Sequence, residues 1–84
     1  MTYKVILANE ARRSWRKIKG QDKHKISIAL KALEDEPRLG AKMMGSYQDC
    51  YRLRVWPYRI VYRIRNRRLV VFVIAIGQRE GVYK

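Results

Sequence analysis

The sequence predicts an α+β domain in which a two-helix hairpin packs on an antiparallel sheet, with elements in the order βααβββ. Residues 49–64 alternate apolar with basic side chains, which is typical of β-strands. Residues 69–76 form a continuous apolar run, which indicates a strand buried on both faces near the centre of the sheet. The chain has 84 residues, so we expect residues 1–84 to form a single domain.

The N-terminal part predicts one strand and one helix. Residues 2–8 alternate in polarity and predict the first strand. Asn9 is a suitable N-cap for a helix over residues 10–19, whose apolar positions recur at helical spacing. We expect Gly20 to end this helix, because glycine readily adopts the left-handed conformation at that position.

A second helix and a connector are predicted next. Asp22 can cap the helix, and Pro37 must stop it. Residues 38–47 are expected to form a connector that contains at most a short strand. The predicted buried stripe of the helix consists of Ile26, Ala29, Leu30 and Leu33.

The alternating stretch predicts two strands joined by a turn at Trp56 and Pro57, where proline suits a turn or a sheet edge. A second turn is expected over Asn66–Arg68. We expect Trp56, Trp15 and Phe72 to lie in the core. The two strands place aromatic and aliphatic residues on one face, and on the other face they place Arg52, Arg54, Arg59, Arg63 and Arg65.

The basic face indicates an anionic partner. The chain has 20 Lys and Arg against 7 Asp and Glu, a formal charge of +13. Like charges that face each other across paired strands destabilise a sheet, and no acidic residue occurs between Asp49 and Glu80. The favoured interpretation is a surface for a nucleic-acid backbone. The alternative is an ordinary solvated sheet face.

Composition disfavours several other classes of protein. The single cysteine excludes an intrachain disulfide framework, and one His with one Cys cannot form a metal-ligand cluster. We expect His24 to be a surface residue. Nothing near Met1 resembles a signal peptide, and the longest apolar run is far shorter than the roughly 20 residues of a membrane helix. The sequence therefore predicts a soluble cytoplasmic protein without a cofactor.

Three motifs in the C-terminal half resemble the RelE family of toxin–antitoxin toxins from bacteria and archaea. They are Asp49-Cys-Tyr-Arg-Leu-Arg, Tyr58-Arg-Ile-Val-Tyr and Val70-Val-Phe-Val-Ile-Ala-Ile-Gly-Gln-Arg-Glu, the last with a tyrosine shortly after it. Glu10-Ala-Arg-Arg-Ser-Trp-Arg-Lys-Ile and Leu33-Glu-Asp-Glu-Pro-Arg are similar to the helical hairpin of that family. The resemblance implies a microbial-ribonuclease-like fold. It also implies metal-free cleavage of mRNA in the ribosomal A site, by attack of a 2′-hydroxyl on the adjacent phosphate.

The resemblance also assigns site residues. Arg59 and Arg79 match the phosphate-binding arginines of the family, and Tyr83 matches its C-terminal tyrosine, which stacks on a base and orients the nucleophile. Arg52 and Arg54 stand where well-known members have lysines. Because arginine keeps its proton in proteins, neither can readily act as the general base. Tyr83 or a ribosomal group could take that role, or electrostatic stabilisation could dominate.

The partners implied by the resemblance are a RelB-like antitoxin with an acidic segment, the 30S ribosomal subunit and A-site mRNA. A toxin–antitoxin hetero-oligomer is expected. Two alternatives stay open: a toxin of the ParE type, which shares the fold and inhibits DNA gyrase, and a family member that binds RNA or antitoxin without catalysis. The set of Arg59, Arg79 and Tyr83 favours cleavage, because a gyrase inhibitor needs no residues that clamp a phosphate.

Overall fold

The computed structural model describes residues 2–45 and 49–78, which form one sheet with two helices. The predicted α+β fold, with a strand and two helices before the main strands, is confirmed. The connector contains the short strand that the sequence allowed. In chain order the elements are β1 (Lys4–Leu7), α1 (Asn9–Lys17), α2 (Gly20–Asp35), β2 (Ala41–Lys42), β3 (Cys50–Val55), β4 (Tyr58–Arg65), a 3₁₀ turn (Asn66–Arg68) and β5 (Val70–Gly77).

The five strands are arranged in the order β1-β5-β4-β3-β2. Strands β2 to β5 pair antiparallel, as predicted. The expectation of a fully antiparallel sheet is wrong for β1, which pairs parallel to β5 with Lys4 opposite Val70. Parallel strands need a long crossover connection, and here the chain between β1 and β5 includes both helices. In the strand order above, the apolar strand β5 lies inside the sheet, between β1 and β4.

The core lies between the helices and one face of the sheet. Ala11 and Ile18 from the first helical segment and Ile26 and Leu33 from α2 are buried there. The sheet contributes alternate side chains, as period-two patterning requires. Those that form or flank this core are Tyr51, Leu53, Val55, Tyr58, Ile60, Tyr62, Ile64, Val71, Val73 and Ile76.

The helix ends differ from the prediction. Asn9 is the first residue of α1, and Ala8 occupies the cap position without a side-chain hydrogen bond. Helix α1 ends at Lys17 because Ile18 turns to an extended conformation and is buried in the core. Gly20 does adopt a left-handed φ of 64°, but it begins α2 and does not end α1. Asp22 lies in the first turn of α2, where its charge complements the helix dipole.

The predicted core position of Trp56 is wrong, since this side chain is 84% exposed. Val55 pairs with Tyr58, so Trp56 and Pro57 form a two-residue loop beyond the last strand pair. Residues in such a loop extend past the apolar face that the helices cover. Trp15 is half-buried against the core, as expected, whereas Phe72 is half-buried on the opposite sheet face.

Within the part of the chain that the structure describes, no helix is both long enough and apolar enough to cross a membrane. His24 is exposed on α2, in agreement with its predicted surface position.

Candidate nucleic-acid interface

Three arginines of β3 and β4 lie on the sheet face that points away from the helices. Arg54 stands directly opposite Arg59, and Arg52 stands opposite Val61. Directly opposed residues in an antiparallel pair have their Cβ atoms about 4.5–5.5 Å apart. The pairing therefore places two cationic side chains next to each other on one face, and like charges in that position favour a bound anion.

Small side chains surround this arginine pair. Gly77 on β5 stands opposite Arg59, so the neighbouring strand places no side chain beside it. Val61 and Ala75, which pair with each other on the same face, are 2% and 0% exposed. Cys50 on that face is also buried. The face is therefore less uniformly cationic than the sequence indicated, because buried apolar positions separate its arginines.

The predicted site residues fall into two groups. Arg52, Arg54 and Arg59 come together on one face of two paired strands. Arg79 and Tyr83 lie outside the described residues. The roles of all five stay predictions.

A second cationic region lies at the other end of β4. Arg63 and Arg65 are four and six positions beyond Arg59, which corresponds to about 14–20 Å along a strand. They line a cleft of about 340 Å³ together with cations from the connector. The complete lining is Arg38, Lys42, Asp49, Tyr51, Arg63, Ile64, Arg65 and Asn66. This region extends the positive surface away from the Arg54–Arg59 pair.

Tyr62 fixes the strand that carries Arg59. Its ring is fully buried and stacks on Tyr51 with 5.6 Å between ring centroids. Its hydroxyl Oη accepts a hydrogen bond of 2.9 Å from the backbone N–H of Gly40. Burial raises the pKa of the Tyr62 phenol, and the hydrogen bond from Gly40 opposes that rise in part. The connector before β2 is thereby tied to the middle of β4.

The available side chains suit phosphate binding more than metal binding. Among residues 2–45 and 49–78, no three His, Cys, Asp or Glu side chains are placed to hold a metal ion. Arginine forks can bind a phosphate bidentately and stabilise charge that develops on it. The face as described can therefore hold and polarise a phosphodiester, and it offers no obvious proton acceptor of its own.

The sequence did not reveal the exposure of Trp56 or the convergence of Arg38 and Lys42 with Arg63 and Arg65. A signal for Trp56 was present, because a Trp-Pro pair between two alternating strands occupies turn positions, and turns lie at the surface. No local pattern signals the cationic cleft, since its lining comes from three separate segments.

Known proteins resemble the chain over nearly its whole length. A family model described as the ParE toxin of the type II toxin–antitoxin system parDE matches residues 5–83. The mRNA interferase toxin RelE of Escherichia coli strain K12 is 33% identical over 82 residues, which cover 95% of this chain and 86% of that protein.

Solved structures also resemble the chain. The RelBE2 toxin–antitoxin complex of Mycobacterium tuberculosis contains a chain with 25% identity and a TM-score of 0.84, and the match covers 94% of this chain and 100% of that one. The intact RelBE toxin–antitoxin complex of Escherichia coli contains a chain with 29% identity and a TM-score of 0.79, with coverages of 93% and 98%.

Proposed function

Since this chain belongs to the RelE/ParE family of type II toxin–antitoxin toxins, we propose that it is the toxin of such a pair and cleaves messenger RNA. The observation that carries the activity is its 33% identity, over 95% of its length, to a protein named mRNA interferase toxin. The three arginines on one sheet face give that activity a plausible phosphate-binding surface. Its partner is an antitoxin, as in the related complexes of known structure.

The proposed chemistry is an internal transesterification in the RNA. The 2′-oxygen of one nucleotide forms a bond to the adjacent phosphorus, and the bond from phosphorus to the 5′-oxygen of the next nucleotide breaks. The products are a 2′,3′-cyclic phosphate and a 5′-hydroxyl. Arg59 and Arg79 stabilise the charge on the phosphate oxygens, and Arg52 and Arg54 add to the positive field.

The two proton transfers are the part of the reaction that arginine cannot perform readily, because its guanidinium group keeps its proton in proteins. One proton must leave the 2′-hydroxyl, and another must reach the departing 5′-oxygen. Tyr83 or a group of the ribosome is assigned the first transfer. No metal ion enters this proposal, because charge stabilisation comes from the guanidinium groups.

The positive charge of the chain suits binding to the ribosome and to an acidic antitoxin. A domain of charge +13 suits rRNA phosphates of the 30S subunit, and A-site mRNA is the proposed substrate there. An acidic segment of the antitoxin would neutralise the same surface and keep the toxin inactive in a hetero-oligomer.

Gyrase inhibition is the second candidate, and the match to a family model named for ParE toxins favours it. A gyrase inhibitor needs to bind protein, whereas phosphodiester cleavage needs groups that stabilise a phosphate. The two candidates therefore respond differently to loss of Arg59. A member that binds RNA or antitoxin without catalysis is the third possibility.

Arg59→Ala tests the proposal, with Arg63→Ala as its matched control on the same strand and face. Each variant loses one exposed or half-exposed cation, so both should stay folded. Toxin released from co-expressed antitoxin is added to ribosomes carrying a defined mRNA, and the new 5′ ends are mapped. We expect Arg59→Ala to cleave about 10²–10³-fold more slowly, as when one donor to a developing oxyanion is lost. Arg63→Ala should stay near the parental rate.

Equal rates for the parent and Arg59→Ala would remove Arg59 from the site. A parent that cleaves no mRNA on ribosomes but inhibits supercoiling by purified gyrase would establish the ParE-type function. A parent inactive in both assays would indicate a binding role without catalysis.

A further inference from the structure

Trp56 is a large aromatic side chain placed almost fully in water. It is 84% exposed, although tryptophan is usually well buried. It occupies the first position of the two-residue loop between β3 and β4. Nothing in the packing of the core requires it, so its placement suggests a contact outside the chain.

The backbone at Trp56 is held in position from α2. The ammonium Nζ of Lys25 donates a hydrogen bond of 3.3 Å to the carbonyl oxygen of Trp56. The same ammonium lies 3.9 Å from a carboxylate oxygen of Asp22 on the preceding turn of α2. The loop is thus braced against the helix, which lowers the entropy cost of binding through the exposed ring.

The loop lies directly beside the opposed arginines. Only the Val55–Tyr58 pair separates it from the Arg54–Arg59 pair. Two residues of extended strand span about 7 Å, so the backbone positions of Trp56 and of the Arg54–Arg59 pair lie within the reach of one or two nucleotides of a single strand. Aromatic rings beside cationic grooves are the usual means by which proteins bind single-stranded RNA.

We propose that Trp56 is a stacking platform for a base of single-stranded RNA whose phosphates contact Arg54 and Arg59. The proposal rests on RNA being the substrate class of this face. Among residues 2–45 and 49–78, the other large exposed apolar side chains, Ile28, Leu39 and Met44, are not aromatic. Positive charge at the neighbouring positions favours a polyanion over an apolar protein surface.

The test measures RNA binding without cleavage. Trp15→Phe leaves Trp56 as the single tryptophan, so its fluorescence reports directly on the ring. The probe is a short 2′-O-methyl oligoribonucleotide, which lacks the nucleophilic hydroxyl. We expect the oligonucleotide to quench Trp56 emission in a saturable way.

Trp56→Ala should weaken binding of the same probe about 5- to 150-fold, which corresponds to a stacking contribution of about 1–3 kcal/mol. Trp56→Phe should keep most of the affinity. Met44→Ala, which removes another exposed apolar side chain, is the control and should bind like the parent. The salt dependence of binding should be the same for Trp56→Ala and the parent, because no phosphate contact is lost.

Absent quenching, unchanged affinity of Trp56→Ala, or no binding of the probe by the parent would each overturn the proposal. So would a Trp56→Ala variant that binds RNA normally and loses only antitoxin binding, because the ring would then belong to a protein interface. Cleavage on programmed ribosomes separates this inference from the proposed function. A parent that binds through Trp56 and cleaves nothing contradicts only the function, whereas Trp56→Ala cleaving at the parental rate counts against the inference.

Discussion

At the scale of single residues, Arg59 is the one described arginine in which three circumstances occur together. It faces Arg54 across β3–β4, it faces Gly77 across β4–β5, and it is half-buried. Half-burial strengthens its interaction with an anion because the surrounding dielectric is lower. Arg63, on the same strand, is exposed and faces Cys50 and Phe72.

Two variants of Tyr83 test the proposal that its phenol takes the proton of the 2′-hydroxyl. If its phenol handles that proton, Tyr83→Phe and Tyr83→Ala should both cleave about 10²–10⁴-fold more slowly. We expect this outcome because Arg52 and Arg54 cannot readily accept a proton. If the ring only stacks, Tyr83→Phe should keep most activity and Tyr83→Ala should lose it. Single-turnover cleavage on programmed ribosomes measures both variants, and a near-parental rate for Tyr83→Ala would exclude either role.

Tyr62 makes the free energy of unfolding depend on pH in the alkaline range. Its pKa in the folded protein is raised above the ordinary value of about 10, chiefly by burial. Its contribution to stability is therefore complete below pH 10 and declines as pH rises above 10 toward the folded-state pKa. Tyr62→Phe leaves the Gly40 N–H without its acceptor, which should cost about 1–3 kcal/mol at neutral pH.

We expect the difference in free energy of unfolding between the parent and Tyr62→Phe to shrink above about pH 10. Denaturant titrations at several pH values measure it, and the variant corrects for the other tyrosines and lysines that titrate in that range. A constant difference up to pH 11 would show that the Tyr62 phenol is not perturbed by burial.

At the scale of secondary-structure elements, the sequence predicted β3, β4 and β5 well because alternation and apolar runs are local signals. It could not predict that β1 pairs parallel with β5, because an alternating pattern does not specify the partner of a strand. The ends of α1 were also mispredicted, since burial of Ile18 outweighed the local preference for a longer helix. The prediction for Trp56 was wrong because it followed the apolar character of the side chain, whereas the position of Trp56 in the turn places it at the surface.

The candidate site was predictable in one part only. Its arginines were visible in the alternation of β3 and β4, but the register that places Arg54 opposite Arg59 depends on the length of the loop between them. A one-residue shift would turn one set of arginines toward the core. The apolar run of residues 69–76 already indicated burial of Ala75 on both faces of β5, but it did not show that Ala75 pairs with Val61 within the basic face.

Gly40 is where the connector approaches the sheet most closely. A Cβ atom there would lie 2.7 Å from the carbonyl oxygen of Arg52 and 2.8 Å from Oη of Tyr62. We expect Gly40→Ala to lower the free energy of unfolding by about 1–3 kcal/mol, because backbone and a buried ring must shift. Met44→Ala in the same connector is the control and should change it by less than about 0.5 kcal/mol. Chemical denaturation measures both, and equal stability of Gly40→Ala and the parent would contradict the close packing.

At the scale of the whole molecule, the charge of +13 is spread over both ends of the sheet. The Arg54–Arg59 pair and the cleft that contains Arg63 and Arg65 are separate regions. The protein can therefore contact one phosphate backbone at the Arg54–Arg59 pair and a second one at the cleft. Mutations in the cleft should therefore be able to change the proposed ribosome affinity without changing the proposed cleavage step.

Binding to the isolated 30S subunit should therefore depend steeply on salt. Each neutralised phosphate contributes a slope of about 0.7–0.9 in a plot of log affinity against log salt concentration. Arg65→Ala should reduce that slope by about 1 and leave single-turnover cleavage by bound toxin near the parental rate. Equilibrium binding at 50 to 200 mM salt tests this, and an affinity independent of salt would contradict the electrostatic origin of binding.

The parallel pairing of β1 with β5 bears on the order in which the sheet assembles. Strand β1 must wait for β5, whose first paired residue, Val70, follows Lys4 by most of the chain. Contacts this distant in sequence form late. Until β5 is available, β1 has no strand to pair with in the described sheet, and Arg59 lacks its neighbour Gly77. The nascent chain therefore completes the sheet face that carries Arg59 only after β5 has joined β1 and β4.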